Sequence, residues 1–181
     1  MKTAAVLLAA GASTRLGSAK QVVRLDGETL LERAVRVARA AGCSPVVVVL
    51  GASAASIRSE CSLGDAVVVV NEDWASGMGS SVRCGVRALG DVGGCVLMAC
   101  DMPAVTAAHL RELMASGEVT ASYYAGRRGV PAYFPAELFG ELMRLRGDVG
   151  ARELLSSACS VELPGGEVDV DTVEDLERVR L

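Results

Sequence analysis

Short apolar runs alternate with helical patterns along the first hundred residues of this chain. Runs without polar interruption are typical of strands that are covered on both faces, and they occupy residues 3–8, 46–50, 66–70 and 94–100. Apolar residues at helical spacing, or short helix-compatible segments, occupy residues 30–41, 53–61 and 82–89. Thr29 and Glu32 have the spacing of a capping box before the first helix. Alternating strands and helices predict an α/β fold: a three-layer, Rossmann-like, doubly wound and mainly parallel sheet.

The second half of the chain has a less regular pattern. Helices are predicted at residues 106–117 and 138–145, and short closing strands at 160–163 and 167–170. Residues 119–124 and 130–134 flank a basic loop and can form either a hairpin or two separate strands. No repeat, low-complexity tract or linker interrupts the pattern, so residues 1–181 are predicted to form a single domain.

Composition limits the partners that the protein can have. The chain is 51% hydrophobic but only 3% aromatic, which favours an aliphatic α/β core over a base-stacking surface. Its net charge of -4 provides no excess positive field for binding nucleic acid. We therefore expect small-molecule substrates and no nucleic-acid partner.

The cysteines and the N-terminus bear on localisation. The chain has six cysteines and one histidine, His109, and no Cys-x-x-Cys pair, so a structural zinc site is not expected. His109 is interpreted as an exposed or half-buried helix residue, since no nucleophile is paired with it. The N-terminus lacks the layout of a signal peptide, and no apolar run is long enough to span a membrane. These features predict a cytoplasmic protein without a membrane partner.

The loop after the first strand has the composition of an anion-binding cradle. It contains Gly11, Gly17, Arg15 and Lys20 together with hydroxyl side chains, and backbone N–H groups with cationic side chains are typical ligands of phosphate. It is not a P-loop, because five residues separate the two glycines and Ser18 follows the second. It also lacks the glycine pattern of the dinucleotide fingerprint.

A carboxylate follows the strand at residues 94–100. Asp101 is expected at the carboxyl edge of the sheet, where the loop after the first strand also emerges. Mg²⁺ needs few carboxylates, because it takes its other oxygens from water and phosphates. Asp101 beside the cradle therefore predicts a site for Mg²⁺ and phosphate.

The first loop resembles the signature of the MobA/MocA-like nucleotidyltransferases, whose fold is that of the nucleotide-diphospho-sugar transferases. The matching residues run from Leu8 to Lys20, and the resemblance covers the whole chain. It implies that this loop wraps the triphosphate, with Arg15 and Lys20 as catalytic residues. The implied nucleotide-binding residues of the loop are Leu8, Ala9, Ala10, Gly11, Ser13 and Gly17. Cys100-Asp101-Met102-Pro103 resembles the metal-binding motif of the family, and implies a nucleotide contact from Cys100 and a metal contact from Asp101.

Later segments also resemble the family. Residues 71–81 resemble a segment that contacts base and ribose, which implies roles for Asn71, Gly79 and Ser81, whereas Trp74 is interpreted as pinning the loop to the core. On the acceptor side the resemblance implies roles for Pro131, Asp148 and Arg152. Asp148 can equally be an N-cap. Val130 departs from the family, which often has a polar residue at this position. Residues 169–176 resemble an aspartate-rich family motif. Asp169 is the preferred second metal ligand, with Asp171 as the alternative.

The resemblance implies transfer of a nucleotidyl group to the phosphate of molybdopterin, with the N-terminal part binding the nucleotide and the C-terminal part the acceptor. Leu8-Ala9-Ala10-Gly11 resembles the cytidylyl branch, so CTP is favoured over GTP. Another small phosphate acceptor remains possible, as does a binding protein that delivers molybdenum cofactor without catalysis. A molybdoenzyme or its chaperone is the expected recipient of the product.

Overall fold

The computed structural model describes residues 1–12, 19–149, 151–170 and 175. Its strands are β1 (Thr3–Ala9), β2 (Arg24–Leu25), β3 (Glu28–Thr29), β4 (Val46–Leu50), β5 (Val67–Val70), β6 (Gly94–Ala99), β7 (Thr120–Tyr124), β8 (Arg127–Pro135) and β9 (Cys159–Glu162). Its α-helices are α1 (Leu30–Ala40), α2 (Ala54–Glu60), α3 (Met78–Arg87), α4 (Ala107–Ala115), α5 (Phe139–Leu142) and α6 (Arg152–Leu155). The four predicted N-terminal strands are confirmed to within one residue at each end.

Seven of the described strands form one sheet in the order β5-β4-β1-β6-β8-β7-β9. Neighbours among β5, β4, β1 and β6 are parallel, whereas β8 is antiparallel to both β6 and β7. β7 and β8 form the hairpin that was one of the two predicted alternatives. Its turn residues, Ala125 and Gly126, have φ values of 49° and 74°, as a two-residue type I′ turn requires. The predicted doubly wound, mainly parallel fold is confirmed.

Helices cover both faces of this sheet. Ala5, Leu7 and Ala9 of β1 belong to a buried cluster that also contains residues of α1, α2 and α4. The alternating residues Ala4 and Val6 belong to a second cluster, which includes residues of α3, α5 and α6. This two-residue alternation of side chains divides the core into two layers on either side of the sheet. Among the described residues, no helix has both the length and the apolar character needed to cross a bilayer.

The predicted capping box at the start of α1 is confirmed. The backbone N–H of Glu32 donates to Thr29 Oγ1 at 3.1 Å, and the backbone N–H of Thr29 donates to Glu32 Oε2 at 2.9 Å. Two donors that lack partners within the helix are thereby satisfied.

Two local predictions were wrong, and one hairpin was missed. Residues 167–170 are not a strand, because Gly165 turns the chain and the Val170 N–H donates to the carbonyl of Asp101 at 3.0 Å. The helix predicted at 138–145 is reduced to α5, with a 3₁₀ turn before it. The β2–β3 hairpin was missed, although its turn, Asp26-Gly27, is a typical hairpin sequence and both residues have positive φ.

Candidate active site

A cleft of about 370 Å³ opens at the carboxyl ends of β1 and β6. Five segments that are distant in sequence meet there: the end of β1 with the loop after it, the segment before and at the start of α3, the end of β6 with Asp101, β8, and the 3₁₀ turn that contains Asp148. The lining residues are Leu8, Ala9, Ala10, Gly11, Lys20, Gln21, Trp74, Ala75, Gly77, Met78, Ser81, Ala99, Asp101, Val130 and Asp148. An open α/β sheet usually binds its ligand at this edge.

Gln21 holds the start of the loop after β1. Its side-chain amide donates to the carbonyl of Ala9 at 2.7 Å and to that of Gly11 at 3.2 Å, and the residue is fully buried. A Cβ added at Gly11 would meet no atom of the described residues within 4 Å, so among these residues nothing packs against this position. Sequence reasoning gave Gln21 no role, since a lone glutamine after a lysine carries no recognisable pattern.

The structure brings the predicted residues Lys20 and Asp101 together. Lys20 begins a 3₁₀ turn, Lys20–Val22, and its ammonium group forms an ion pair with the Asp101 carboxylate. Asp101 is 6% exposed, so this negative charge is held in the wall of the cleft beside a compensating cation. Removing one partner from such a buried pair is costly, because the other charge remains desolvated.

The C-terminal segment returns to the same place. The hydrogen bond from the Val170 N–H to the Asp101 carbonyl fixes Asp169 next to the residue that pairs with Lys20. Tyr124 lies near both carboxylates: burial raises the pKa of its hydroxyl, and the negative charges of Asp169 and Asp101 raise the pKa further. Asp169 is exposed. The alternative ligand, Asp171, lies outside the described residues.

The segment before α3 supplies both a wall of the cleft and its support. Trp74 and Ser81 line the cleft, and a Cβ at Gly51 would come within 2.7 Å of Trp74. Trp74 therefore packs on the protein, as expected, and also faces the cleft. Asn71 is buried and donates to Ser80 Oγ at 2.7 Å and Ser81 Oγ at 3.0 Å.

Some predicted nucleotide-binding residues are not part of the cleft wall. Asn71 does not line the cleft, but it donates a hydrogen bond to Ser81, which does. A Cβ at Gly79 would come within 3.0 Å of the backbone of Leu145 and Arg146, so this glycine allows close packing of α3. Cys100 is buried in the core cluster that contains residues of α1, α2 and α4, and desolvation there raises the pKa of its thiol.

Of the three predicted acceptor-side residues, only Asp148 lines the cleft. Asp148 lines the cleft and approaches Gly77, where an added Cβ would come within 2.8 Å of its carboxylate. Pro131 is buried next to Val130, which lines the cleft. Arg152 does not line the cleft, but its charge acts on Tyr124.

Three predicted residues of the first loop, Ser13, Arg15 and Gly17, lie outside the described residues. Leu8, Ala9, Ala10 and Gly11, which the resemblance implies are nucleotide-binding residues, line the cleft. Within the described ranges, no group of three His, Cys, Asp or Glu side chains is placed to hold a metal ion.

The interpretation of His109 was wrong, because the structure buries this residue at 7% exposure. Its Nε2 lies 2.7 Å from Ser122 Oγ, and burial lowers the pKa of the imidazole. The helical periodicity placed His109 on a helix, but it did not reveal the polar partner on β7.

Comparison with known proteins gives a consistent family. The family described as the MobA-like NTP transferase domain matches residues 5–162. Nicotine blue oxidoreductase from Paenarthrobacter nicotinovorans is 35% identical over 96% of this chain and 94% of that protein. A probable molybdenum cofactor guanylyltransferase from Opitutus terrae is 37% identical, over 61% of this chain and 53% of that protein.

A solved relative covers nearly the whole chain. Rv0371c from Mycobacterium tuberculosis H37Rv superimposes with a TM-score of 0.84 and 33% identity, over 99% of this chain and 98% of that one. A complex of the same protein with manganese gives a TM-score of 0.81 and 34% identity, again over 99% and 98% of the two chains.

Proposed function

Because the chain belongs to the MobA-like NTP transferase domain family, we propose that this nucleotidyltransferase acts on the phosphate of molybdopterin or molybdenum cofactor, with CTP as the favoured donor. The acceptor phosphate oxygen attacks the α-phosphorus of the triphosphate. The bond between the α-phosphorus and the bridging oxygen breaks, and pyrophosphate leaves. The product joins nucleotide and acceptor through a diphosphate.

One observation carries this proposal: Lys20 and Asp101 are paired in the wall of a cleft that the Ala9–Gly11 backbone also lines. An ionised phosphate needs no general base, so the protein has mainly to align two anions and neutralise their charge. Lys20 is placed to stabilise the charge that develops on the departing pyrophosphate. Arg15 is proposed for the same task from the resemblance.

The described carboxylates fit a divalent cation. Asp101 and Asp169 would hold it, with water and phosphate oxygens completing the six oxygens that Mg²⁺ prefers. When bound, the ion neutralises phosphate charge and orients the two substrates. Lys20, which pairs with Asp101 in this structure, would then contact phosphate oxygens of the bound substrate. The manganese complex of Rv0371c supports a metal in a related protein.

The acceptor is proposed from the family. The Opitutus relative is named as acting on molybdenum cofactor, and the Gly147-Asp148 segment that resembles the acceptor side of the family lies at the cleft. The Paenarthrobacter relative is named as an oxidoreductase. The first loop of this chain lacks the glycine pattern of the dinucleotide fingerprint, because Ser13 stands at the third position of that pattern, which needs glycine.

The choice of CTP rests on Ala10, which replaces the glycine of the guanylyl branch. Ala10 is buried at the cleft wall, and its carbonyl accepts a hydrogen bond from the Ala52 N–H at 3.0 Å. A GTP-dependent enzyme, another small phosphate acceptor, and a molybdenum cofactor chaperone without catalysis are the alternatives.

The test is pyrophosphate release by the purified protein with Mg²⁺ and molybdenum cofactor, offered CTP, GTP, ATP and UTP separately. We expect release with CTP, together with a dinucleotide product identified by mass spectrometry. Release with GTP alone would move the protein to the guanylyl branch. Cofactor binding without release from any nucleotide would overturn catalysis in favour of the chaperone.

A further inference from the structure

Strand β8 contains a two-residue bulge beside the cleft. Ala121 and Ser122 are adjacent on β7, but they pair with Ala132 and Gly129 of β8. Val130 and Pro131 are therefore extra residues, without partners in the ladder between these two described strands. The pairing of β8 with β6 also ends at Ala132. Val130 and Pro131 are thus paired with neither β6 nor β7. They lie at the end of the β6 pairing, where β6 continues towards Asp101.

Side chains of β7 satisfy the two carbonyl groups of this bulge. Tyr124 Oη donates to the carbonyl of Val130 at 3.0 Å, and Ser122 Oγ donates to the carbonyl of Pro131 at 2.6 Å. Buried carbonyls that lose their ladder partners are costly unless another donor replaces them. The bulge is therefore held by two hydroxyl groups rather than by the backbone.

His109 supports the hydroxyl of Ser122. Ser122 has one hydroxyl proton, which it gives to Pro131, so the 2.7 Å bond with His109 requires Nε2 of the imidazole to donate. Ser122 is fully buried and His109 nearly so. The hydrogen bonds therefore run from His109 through Ser122 to the Pro131 carbonyl, and burial lowers the pKa of His109.

Tyr124 is confined between two glycines. A Cβ at Gly129 would come within 2.5 Å of its hydroxyl oxygen, and a Cβ at Gly166 within 2.7 Å of its ring. A side chain at either glycine would therefore clash with Tyr124 and displace it. The same side chain stands beside Asp101 and Asp169, whose charges act on its hydroxyl.

Sheet order indicates which substrate the bulge faces. β6, which leads to Asp101, lies between β1, which leads to the triphosphate loop, and β8, which carries the bulge. A triphosphate bound by the loop after β1 meets Asp101 from one side, so a second substrate reaching the same phosphorus arrives from the side of Val130. Val130 lines the cleft at that side.

We propose that His109, Ser122 and Tyr124 are positioning residues that hold the Val130–Pro131 bulge as the wall of the subsite for the phosphate-bearing acceptor. This inference rests on the proposed nucleotidyl transfer. The three residues act through the bulge and touch neither substrate, so their loss weakens acceptor binding and leaves nucleotide binding intact.

The test compares Tyr124→Phe with Tyr123→Phe, which removes the same atom from the neighbouring residue of β7. Steady-state pyrophosphate release is measured with molybdenum cofactor and CTP varied in turn. Tyr124→Phe is expected to raise the KM for the cofactor about tenfold, the size of one lost hydrogen bond, with the KM for CTP unchanged. Tyr123→Phe is expected to match the wild type.

Ser122 and His109 extend the test. Ser122→Ala is expected to raise the cofactor KM in the same way. His109→Leu should behave like Ser122→Ala, whereas His109→Gln, which keeps a donor, should restore most of the acceptor affinity. Thermal melting of each variant identifies any that fail to fold. If the Ser122 and His109 variants fail to fold, Tyr124→Phe still tests the inference, because it removes only one oxygen atom.

The outcomes separate the two claims. An active wild type whose cofactor KM is unchanged by Tyr124→Phe and Ser122→Ala would overturn this inference and leave the proposed function standing. Equal increases in the KM for CTP and cofactor would also overturn it, since they indicate a general disturbance of the cleft. A wild type that releases no pyrophosphate with any nucleotide would overturn the proposed function, and the positioning role with it.

Discussion

At the scale of single residues, Ala10 decides the proposed preference for CTP. Its methyl group is buried at the wall of the cleft, in the same cluster as the side chain of Trp74. A methyl group in an apolar pocket discriminates weakly, because one carbon changes binding by a modest factor.

Ala10→Gly is therefore expected to shift the ratio of kcat/KM for GTP to that for CTP by about tenfold towards GTP. Ala75→Gly is the matched control, since it removes a methyl group from another lining residue of the same cleft. Initial rates of pyrophosphate release with both nucleotides give the ratio. An unchanged ratio in Ala10→Gly would remove this residue as the basis of base selection.

His109 provides a second prediction at this scale, because it is the only histidine of the chain. Burial lowers its pKa below the ordinary value of 6.5, while the charge of Glu112 opposes this effect weakly. The unfolded chain therefore binds a proton at a higher pH than the folded protein does. The free energy of unfolding should fall as the pH drops below about 6.5, since the unfolded state then binds more protons.

The ring proton of His109, followed by NMR, should titrate with a midpoint below 6.5. The decrease in melting temperature between pH 7.5 and 5.5 should be smaller for His109→Gln, which cannot titrate. A midpoint at or above 6.5 would show that the imidazole is not desolvated as the structure indicates.

At the scale of elements, the packing of α3 on the sheet depends on Gly85. A Cβ at this position would come within 2.3 Å of Val6 Cγ1 and 2.9 Å of Val49 Cγ2. Both valines are fully buried in the sheet, so neither can move without disturbing its neighbours. Helix α3, which contains the cleft residue Ser81, can thus pack this close to the sheet only because residue 85 has no side chain.

Gly85→Ala should lower the free energy of unfolding by about 1–3 kcal/mol, the usual cost of overpacking a core. For a chain of this size, each kcal/mol corresponds to about 2–4 °C in melting temperature. Gly140→Ala on α5 is the control, because an added Cβ there would meet no atom of the described part of the chain within 4 Å. A Gly85→Ala variant as stable as the control would contradict the close contact of α3 with β1 and β4.

The elements also show how far the sequence could be interpreted. Strands β1, β4 and β6 were predicted well, because a strand buried on both faces leaves a continuous apolar run. The run of valines also predicted β5, although this strand lies at the edge of the sheet and exposes Val67 and Val70. The segment around Val170 was misassigned as a strand, since its backbone pairs with Asp101 rather than with a ladder. Tyr124, Gln21 and Ser122 carried no signal, because their roles depend on partners that only the folded chain brings close.

At the scale of the whole molecule, the cleft brings together charged groups from segments that are distant in sequence. The chain has a net charge of -4, and the described lining of the cleft includes the cation of Lys20 and the carboxylates of Asp101 and Asp148. Sheet order then separates two sides of this cleft, with β1 on one side of β6 and β8 on the other. This arrangement suits a reaction that joins two phosphates at one point.

Pyrophosphate release by Asp101→Asn tests this account most directly. The variant keeps the shape of the side chain but removes the charge that pairs with Lys20 and would hold the metal ion. Asp65→Asn is the control, because Asp65 is an exposed aspartate that pairs with Arg39 and does not line the cleft. Both variants are assayed with CTP, Mg²⁺ and molybdenum cofactor, and their affinity for the cofactor is measured separately.

Asp101→Asn is expected to lose activity by a factor of about 10² or more, while it binds the cofactor as the wild type does and Asp65→Asn keeps full activity. Turnover by Asp101→Asn within a few-fold of the wild type would contradict the assignment of Asp101 and the mechanism built on it.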